Sequence, residues 1–78
     1  PARLARLLVE VGKTDGVAEK QGIRLKAKLT HQEMANLIGC SRETVSTIIG
    51  QFRDQGFIFM DGRTITILKP DALSRLAS

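Results

Sequence analysis

THQEMANLIGCSRETVSTIIGQFRDQG, residues 30–56, predicts two short helices joined by a tight turn. Thr30 can cap the first helix through its hydroxyl, and Glu33 stands at the capping-box spacing three residues later. Gly39 suits the left-handed conformation that ends a helix, and Ser41 can cap the second helix. Two helices joined by about three to four residues that include glycine form a helix-turn-helix unit.

Each of the two helices has one apolar face, because residues three, four and seven apart share a side of a helix. In the first helix this face comprises Met34, Leu37 and Ile38, and in the second it comprises Val45, Ile48, Ile49 and Phe52. We expect both faces to be buried in one core, with Gly56 ending the second helix. Gly50, unusual inside a helix, suggests close approach of another backbone or of DNA.

The opposite face of the second helix exposes side chains that can read DNA bases. These are Arg42, Glu43, Ser46 and Thr47. Arginine donates to O6 and N7 of guanine, glutamate accepts from N4 of cytosine, and serine or threonine can do either. All four lie near the start of the helix, the end that a recognition helix inserts into the major groove. The pattern predicts a recognition helix over residues 41–55.

The segment LTHQEMANLIGCSRETV, residues 29–45, and its continuation to residue 58 resemble the DNA-binding signature of the Crp/Fnr family of bacterial transcription regulators. The similarity runs over residues 23–69. It implies an α+β fold, a winged helix-turn-helix with a three-helix core and a small antiparallel β wing. It also implies sequence-specific binding of double-stranded DNA, as the C-terminal domain of such a regulator.

The resemblance also implies roles for individual residues. Arg42 and Glu43 match the base-reading pair of the family, whereas Thr47 stands where well-known members often have an arginine. Threonine is too short for bidentate guanine recognition, so the resemblance does not imply which base sequence occupies the outer part of the half-site. Positions that typically hold phosphates are matched by Thr30, Gln32, Ser41 and Thr44.

Family members of this kind are homodimers with an N-terminal β-barrel sensor, which binds an effector, and a long dimerisation helix. The chain matches only the last part, so we expect that sensor and helix to be absent from it, and no cofactor in this domain. The resemblance implies three partners. The first is a DNA operator, expected to be an inverted repeat; the others are a second copy of the full-length protein and RNA polymerase.

The flanking segments predict a frame around this unit. Residues 2–11 are predicted to form a packing helix that ends at Gly12 and whose arginines are solvated. Residues 13–22 are predicted to form an exposed loop. The alternating pattern of residues 23–29 predicts a half-buried strand. The outward cations of that strand are either solvated or approach phosphates; they are Arg24, Lys26 and Lys28. Pro70 begins a short closing helix docked by Leu73 and Leu76.

Residues 57–68 predict a hairpin, the wing, because Asp61–Gly62 favours a type I′ turn. That turn places Met60 opposite Arg63, Phe59 opposite Thr64 and Ile58 opposite Ile65, with Ile58, Ile65 and Ile67 facing the core. The wing tip can lie along the phosphate backbone. Arg63 is therefore a candidate phosphate contact.

Composition sets limits on the function. The 78 residues make one domain with a net charge of +4 and a pI near 9.9, which favours a polyanionic partner. Residues 30–56 themselves carry two arginines against three carboxylates, a net of −1, so the motif supports DNA binding more strongly than charge does. One Cys40 and one His31 offer no disulfide and no metal cluster, and nothing indicates an enzyme.

Two other functions are also compatible with the sequence. A winged helix used for protein–protein contact would show apolar residues on the outward face of the second helix, and an RNA reader would offer exposed aromatic side chains. The chain has no Trp or Tyr. No apolar run approaches the roughly 20 residues needed to span a bilayer, so we expect a cytoplasmic protein without a membrane partner.

Overall fold

The computed structural model describes residues 1–77, which form four helices and a four-stranded antiparallel sheet. In chain order the elements are α1 (Ala2–Asp15), β1 (Gly16–Ala18), β2 (Ile23–Leu25), α2 (His31–Ile38), α3 (Arg42–Asp54), β3 (Ile58–Asp61), β4 (Thr64–Ile67) and α4 (Pro70–Ala77). The strand order is β1-β2-β4-β3. This architecture confirms the predicted α+β winged helix-turn-helix and the closing helix from Pro70, and it adds the strand β1.

One hydrophobic core joins all four helices to the sheet. Its larger side chains are Leu4 and Leu8 of α1, Leu25 of β2, Met34 of α2, Val45, Ile48, Ile49 and Phe52 of α3, Ile58 of β3, Ile65 and Ile67 of β4, and Leu73 of α4. The predicted apolar face of α3 is therefore confirmed. In α2 the prediction was partly wrong, because Leu37 is 63% exposed and Ala35 is buried instead. At about 100° per residue, Leu37 lies well away from the centre of the face formed by Met34, Ala35 and Ile38.

Local capping fixes the turn between α2 and α3. The Thr30 hydroxyl accepts from the Glu33 backbone N–H at 3.0 Å, and the Glu33 carboxylate accepts from the Thr30 N–H at 2.8 Å, which completes the predicted capping box. Gly39 adopts φ 74° and ψ 44° and donates to the Ala35 carbonyl. The Ser41 hydroxyl accepts from the Thr44 N–H at 3.1 Å. Because hydrogen bonds hold both sides of the turn, α3 starts at a defined position relative to α2.

The wing forms as predicted, but its register was wrong. Asp61 pairs with Thr64 and Ile58 pairs with Ile67, so the two turn residues are Gly62 and Arg63. Gly62 has φ 62°, and among the described residues no residue other than glycine has a positive φ. A positive φ at the first central residue alone is the pattern of a type II′ turn, whereas type I′ requires it at both. The two-residue slip preserves the faces, so Ile58 still points into the core.

The N-terminal third is more regular than the sequence suggested. Helix α1 continues past Gly12 to Asp15, because Gly12 packs against the sheet: a Cβ there would lie 3.3 Å from the Ile67 side chain. The expected loop contains β1, which pairs with β2. The expected long strand ends at Leu25, where the Asp15 carboxylate accepts from the Ala27 N–H at 2.6 Å.

Two arginines of α1, expected to be solvated, instead contact the ends of other helices. The Arg3 guanidinium donates to the Ile38 carbonyl at 3.2 Å, at the end of α2. The Arg6 guanidinium donates to the Ala77 carbonyl at 3.0 Å, at the end of α4. A cation at a helix C-terminus stabilises its unpaired carbonyls and its dipole. Leu76 of α4 is 39% exposed, so that helix docks mainly through Leu73.

Gly50 has a different environment from the one expected. A Cβ at this position would meet only the Arg53 guanidinium, at 3.7 Å, which is an ordinary contact. No backbone approaches it within the described residues. The expectation of close backbone approach was therefore wrong.

Candidate nucleic-acid interface

Helix α3 is divided sharply into a buried and a polar face. Every exposed position of the helix is polar, namely Arg42, Glu43, Thr44, Ser46, Thr47, Gln51, Arg53 and Asp54. Its back is fixed by four buried apolar side chains. The four residues expected to read bases therefore share one exposed surface at the N-terminal half of the helix.

Arg42 and Glu43 are held only loosely. The Arg42 guanidinium lies 3.8 Å from the Glu43 carboxylate, and both side chains are mostly in solvent. An exposed pair of this kind contributes about 0–1 kcal/mol, so either partner can exchange it for a better one at little cost. Both side chains are available to bind a ligand.

Ser46 has a partner that the sequence did not predict. Its Oγ lies 2.7 Å from Nδ1 of His31, the first residue of α2. The contact joins two helices across the turn, and the His31 ring is half-buried. The capped turn fixes where α2 begins relative to α3. The predicted turn was therefore the only feature of the sequence from which the His31–Ser46 contact could have been inferred.

Thr47 donates its hydroxyl hydrogen to the Glu43 carbonyl of the preceding helical turn, at 3.1 Å. The oxygen can still accept a hydrogen bond and the methyl group stays free, but the hydroxyl does not offer a second hydrogen. Thr47 can thus meet a base only as an acceptor or through its methyl group.

The candidate phosphate contacts at the start of α3 form a hydroxyl pair. Ser41 Oγ and Thr44 Oγ1 are 2.9 Å apart, and Ser41 also accepts from the Thr44 N–H. One hydroxyl donates to the other, so the second keeps a hydrogen for an external acceptor. Both residues are exposed.

The structure brings the other candidate phosphate contacts together at one groove between α2, α3 and the wing. It is lined by Leu29, Thr30, His31, Gln32, Arg42, Met60, Gly62 and Arg63. Two guanidinium groups, from Arg42 and Arg63, therefore share this groove with the start of α2. The Gln32 amide donates to Asn36 at 2.9 Å and remains exposed. Glu43, Thr44 and Thr47 line a separate groove on the other side of α3.

The electrostatics at this surface involve Glu33. The Thr30 backbone N–H, which donates to the carboxylate, holds the pKa of Glu33 below its ordinary value of 4.5. The Thr30 side chain and the positive charge of Arg63 act in the same direction. Glu33 is thus an ionised part of the capping box, and its negative charge offsets part of the positive charge of Arg63.

Two of the three strand cations expected as an alternative phosphate surface have internal partners. Arg24 pairs with Glu19 at 2.9 Å, and Lys26 with Asp15 at 3.7 Å. These pairs favour the structural interpretation of that strand. Residues 1–77 contain no group of His, Cys, Asp or Glu side chains arranged to hold a metal ion. Over the same residues, no helix has the length and apolar character needed to cross a bilayer.

Comparison with known proteins gives consistent matches over nearly the whole chain. The family model described as the Crp-like helix-turn-helix domain matches residues 2–76. The CRP-like cAMP-activated global transcriptional regulator of Mycobacterium tuberculosis is 34% identical over 77 residues, covering 99% of this chain and 34% of that protein. The global nitrogen regulator of Synechocystis sp. is 36% identical over 74 residues, covering 95% of this chain and 33% of that protein.

Solved structures agree with these matches. The CO-dependent transcription factor CooA from Carboxydothermus hydrogenoformans superimposes with a TM-score of 0.92 at 31% identity, covering 99% of this chain and 36% of that one. The chain spans about a third of the length of the curated relatives it matches.

Proposed function

Because the chain belongs to the Crp-like helix-turn-helix family, we propose that it binds double-stranded DNA in a sequence-specific manner. That family consists of transcription regulators rather than enzymes, and the chain acts as the DNA-binding domain of a bacterial transcription regulator. Helix α3 enters the major groove, and the wing lies along the phosphate backbone. The observation that carries this proposal is the division of α3, whose outward face is entirely polar and whose inward face is buried.

The four candidate base readers of α3 have roles that match their hydrogen-bonding capacities. Arg42 bonds a guanine through O6 and N7, and Glu43 accepts from a cytosine amino group. Ser46 bonds a base edge within the limits set by its contact with His31. Thr47 accepts from a base or packs its methyl group against a thymine, since its own hydrogen is used within the helix.

Phosphate contacts position the helix in the groove without reading sequence. The second hydrogen of the Ser41–Thr44 pair, the groove position of Thr30 and Gln32, and the Arg63 guanidinium at the wing tip support these roles. The groove cluster also contains Arg42, whereas Thr44 lines the separate groove with Glu43. The two sets of phosphate contacts would therefore hold the two sugar-phosphate strands that border the major groove.

A winged helix used for protein–protein contact is less well supported. Among the described residues the exposed large apolar side chains are Leu37, Phe59 and Leu76, which lie on α2, β3 and α4. None lies on the outward face of α3. The surface that such a module would use is therefore the most polar one here.

The remaining parts of the function concern the whole regulator. We infer that it is cytoplasmic, that two copies bind an inverted repeat, and that the bound dimer contacts RNA polymerase. An effector would bind outside this chain. The names of relatives that respond to cAMP or to CO support an effector-controlled protein but do not identify the effector.

Selection from a random duplex library tests the proposal. Two copies of the chain, joined by a fused leucine zipper, are used to enrich bound duplexes, and an Arg42→Ala, Glu43→Ala variant serves as the control. We expect an enriched inverted repeat from the native sequence and none from the variant. Enrichment of no sequence, or of the same repeat by both proteins, would contradict the proposed function.

A further inference from the structure

His31 connects the start of α2 to the base-reading face of α3. Its Nδ1 lies 2.7 Å from Ser46 Oγ, a short contact between two surface side chains from different helices. Neither side chain belongs to the hydrophobic core. The same ring lines the groove that Arg42 and Arg63 share. A contact in this place affects the hydroxyl that faces DNA more than it affects the fold.

The state of the His31 ring decides what the Ser46 hydroxyl can offer. When Nδ1 carries no hydrogen, it can only accept, so Ser46 must use its hydroxyl hydrogen on the ring and can meet a base only as an acceptor. When Nδ1 carries a hydrogen, the ring donates to Ser46 Oγ. The hydroxyl hydrogen is then free to donate to a base.

On the basis of the proposed DNA-binding function, we propose that His31 is a positioning residue that determines sequence preference, by setting whether Ser46 presents a hydrogen-bond donor to the base edge. A donor suits the acceptors on guanine, thymine O4 or adenine N7. An oxygen restricted to accepting suits the amino groups of cytosine or adenine. The preference at one base pair thus depends on the hydrogen carried by a residue that itself reads no base.

Because a histidine ring gains a hydrogen on acidification, changing the pH is one way to change the hydrogen that the ring presents to Ser46. The protonated ring carries hydrogens on both nitrogens and must donate to Ser46. The neutral ring can place its hydrogen on Nε2 and accept instead. Acidification therefore favours the donor state of Ser46.

The charged groups around the ring come from three elements. Arg42 of α3 and Arg63 of the wing line the same groove. Glu33 of α2 lies two residues after His31, and its carboxylate is engaged in the capping box. Glu43 on α3 pairs with Arg42. Bound DNA adds phosphates to this set. The pH dependence is therefore measured on the complex with DNA.

The test compares two duplexes that differ by inversion of the one base pair read by Ser46. That pair is identified as the one whose preference is lost in a Ser46→Ala variant of the zipper-joined chain. Affinities for the G·C and C·G versions are measured at several pH values from about 5 to 8. The ratio of the two affinities is the readout, because any general strengthening of phosphate binding at low pH cancels in it.

We expect the ratio for the native sequence to shift by about 2- to 10-fold in favour of the acceptor edge as pH falls, the effect of one hydrogen bond gained or lost. His31→Asn can bond Ser46 but does not titrate, so its ratio should not change with pH. A double-variant cycle of His31→Asn with Ser46→Ala should show that the effect of His31 disappears without the hydroxyl.

Three results would overturn the inference. The ratio for the native sequence could be constant across the pH range, it could change as much in His31→Asn, or Ser46→Ala could leave every base preference intact. Each of these outcomes leaves sequence-specific binding through Arg42 standing. Absence of any sequence preference at every pH would instead show that the proposed function itself is wrong.

Discussion

Replacing Arg42 by alanine should abolish recognition of one base pair and leave the fold intact. The Arg42 side chain is 60% exposed, and its only described partner is the Glu43 carboxylate at 3.8 Å. The loss of such a pair changes the free energy of unfolding by less than about 1 kcal/mol. A bidentate contact with guanine, in contrast, contributes about 1–3 kcal/mol of discrimination. That range corresponds to about 5- to 150-fold in the affinity ratio between the selected and the substituted base pair.

Arg53→Ala provides a matched control. Arg53 lies on the same helix, its side chain is 58% exposed, and it also pairs with a neighbouring carboxylate, that of Asp54 at 3.5 Å. It lies eleven residues after Arg42, about 16 Å along the helix axis, and so cannot reach the same base pair. Both variants remove one positive charge.

The assay is a titration of each variant with the selected duplex, with duplexes substituted at each position, and with random DNA at one fixed salt concentration. Arg42→Ala should lose discrimination at a single base pair, whereas Arg53→Ala should lose none. If Arg42→Ala weakened binding to selected and random DNA equally, Arg42 would be a phosphate contact and its assigned role would be wrong. A large fall in melting temperature in Arg42→Ala alone would also refute the reasoning.

Three further predictions concern phosphate binding, packing and pH. Arg63→Ala should weaken binding to all sequences alike and reduce the slope of log affinity against log salt by about 1. Titration over a range of salt concentrations measures this slope. A loss that depended on the DNA sequence would make Arg63 a base reader. Gly50→Ala should stabilise the chain by about 1 kcal/mol, because the added methyl group meets only the Arg53 side chain at 3.7 Å, and thermal unfolding checks this; destabilisation would point to strain at this position. Glu33→Gln should remove part of the acid sensitivity of the fold. The pKa of Glu33 is lowered in the folded state, so its contribution is fully present above its ordinary value of 4.5 and is lost as pH falls through the lower, folded value. Urea unfolding of both proteins at several acid pH values measures the difference, and parallel curves would contradict the assignment.

The parts of the fold that sequence predicted well depend on local interactions. The capping box at Thr30 and Glu33 and the left-handed Gly39 use contacts within five residues, and the buried face of α3 follows from helical periodicity over three turns. Each element was set by neighbours along the chain. For that reason helix α3 lies where the pattern placed it.

The parts that were wrong depend on distant partners. Gly12 suggested a helix end, but the sheet packs against it, and the helix continues. The strand after Gly22 ends early because Asp15, at the end of α1, bonds the backbone of Ala27. The register of the wing depended on the turn type. A type I′ turn would centre on Asp61–Gly62, whereas the type II′ turn centres on Gly62–Arg63, and the sequence is compatible with both.

The candidate site divides in the same way. The exposure of Arg42 and Glu43 followed from the periodicity of one helix. The contact between His31 and Ser46 joins residues of two helices, and neither residue type indicates the other. The groove shared by Arg42 and Arg63 likewise requires the wing to fold back beside α2, which no local pattern encodes.

The most direct test of the central claim is a map of the DNA-bound surface by NMR. The isotope-labelled chain is titrated with the selected duplex, and the shift of each backbone amide is followed. The account predicts that the largest changes occur in the first half of α3, at the start of α2 and at Arg63, with little change in β1. Changes concentrated on α1, α4 or the outer side of β3, with the first turns of α3 unaffected, would contradict it.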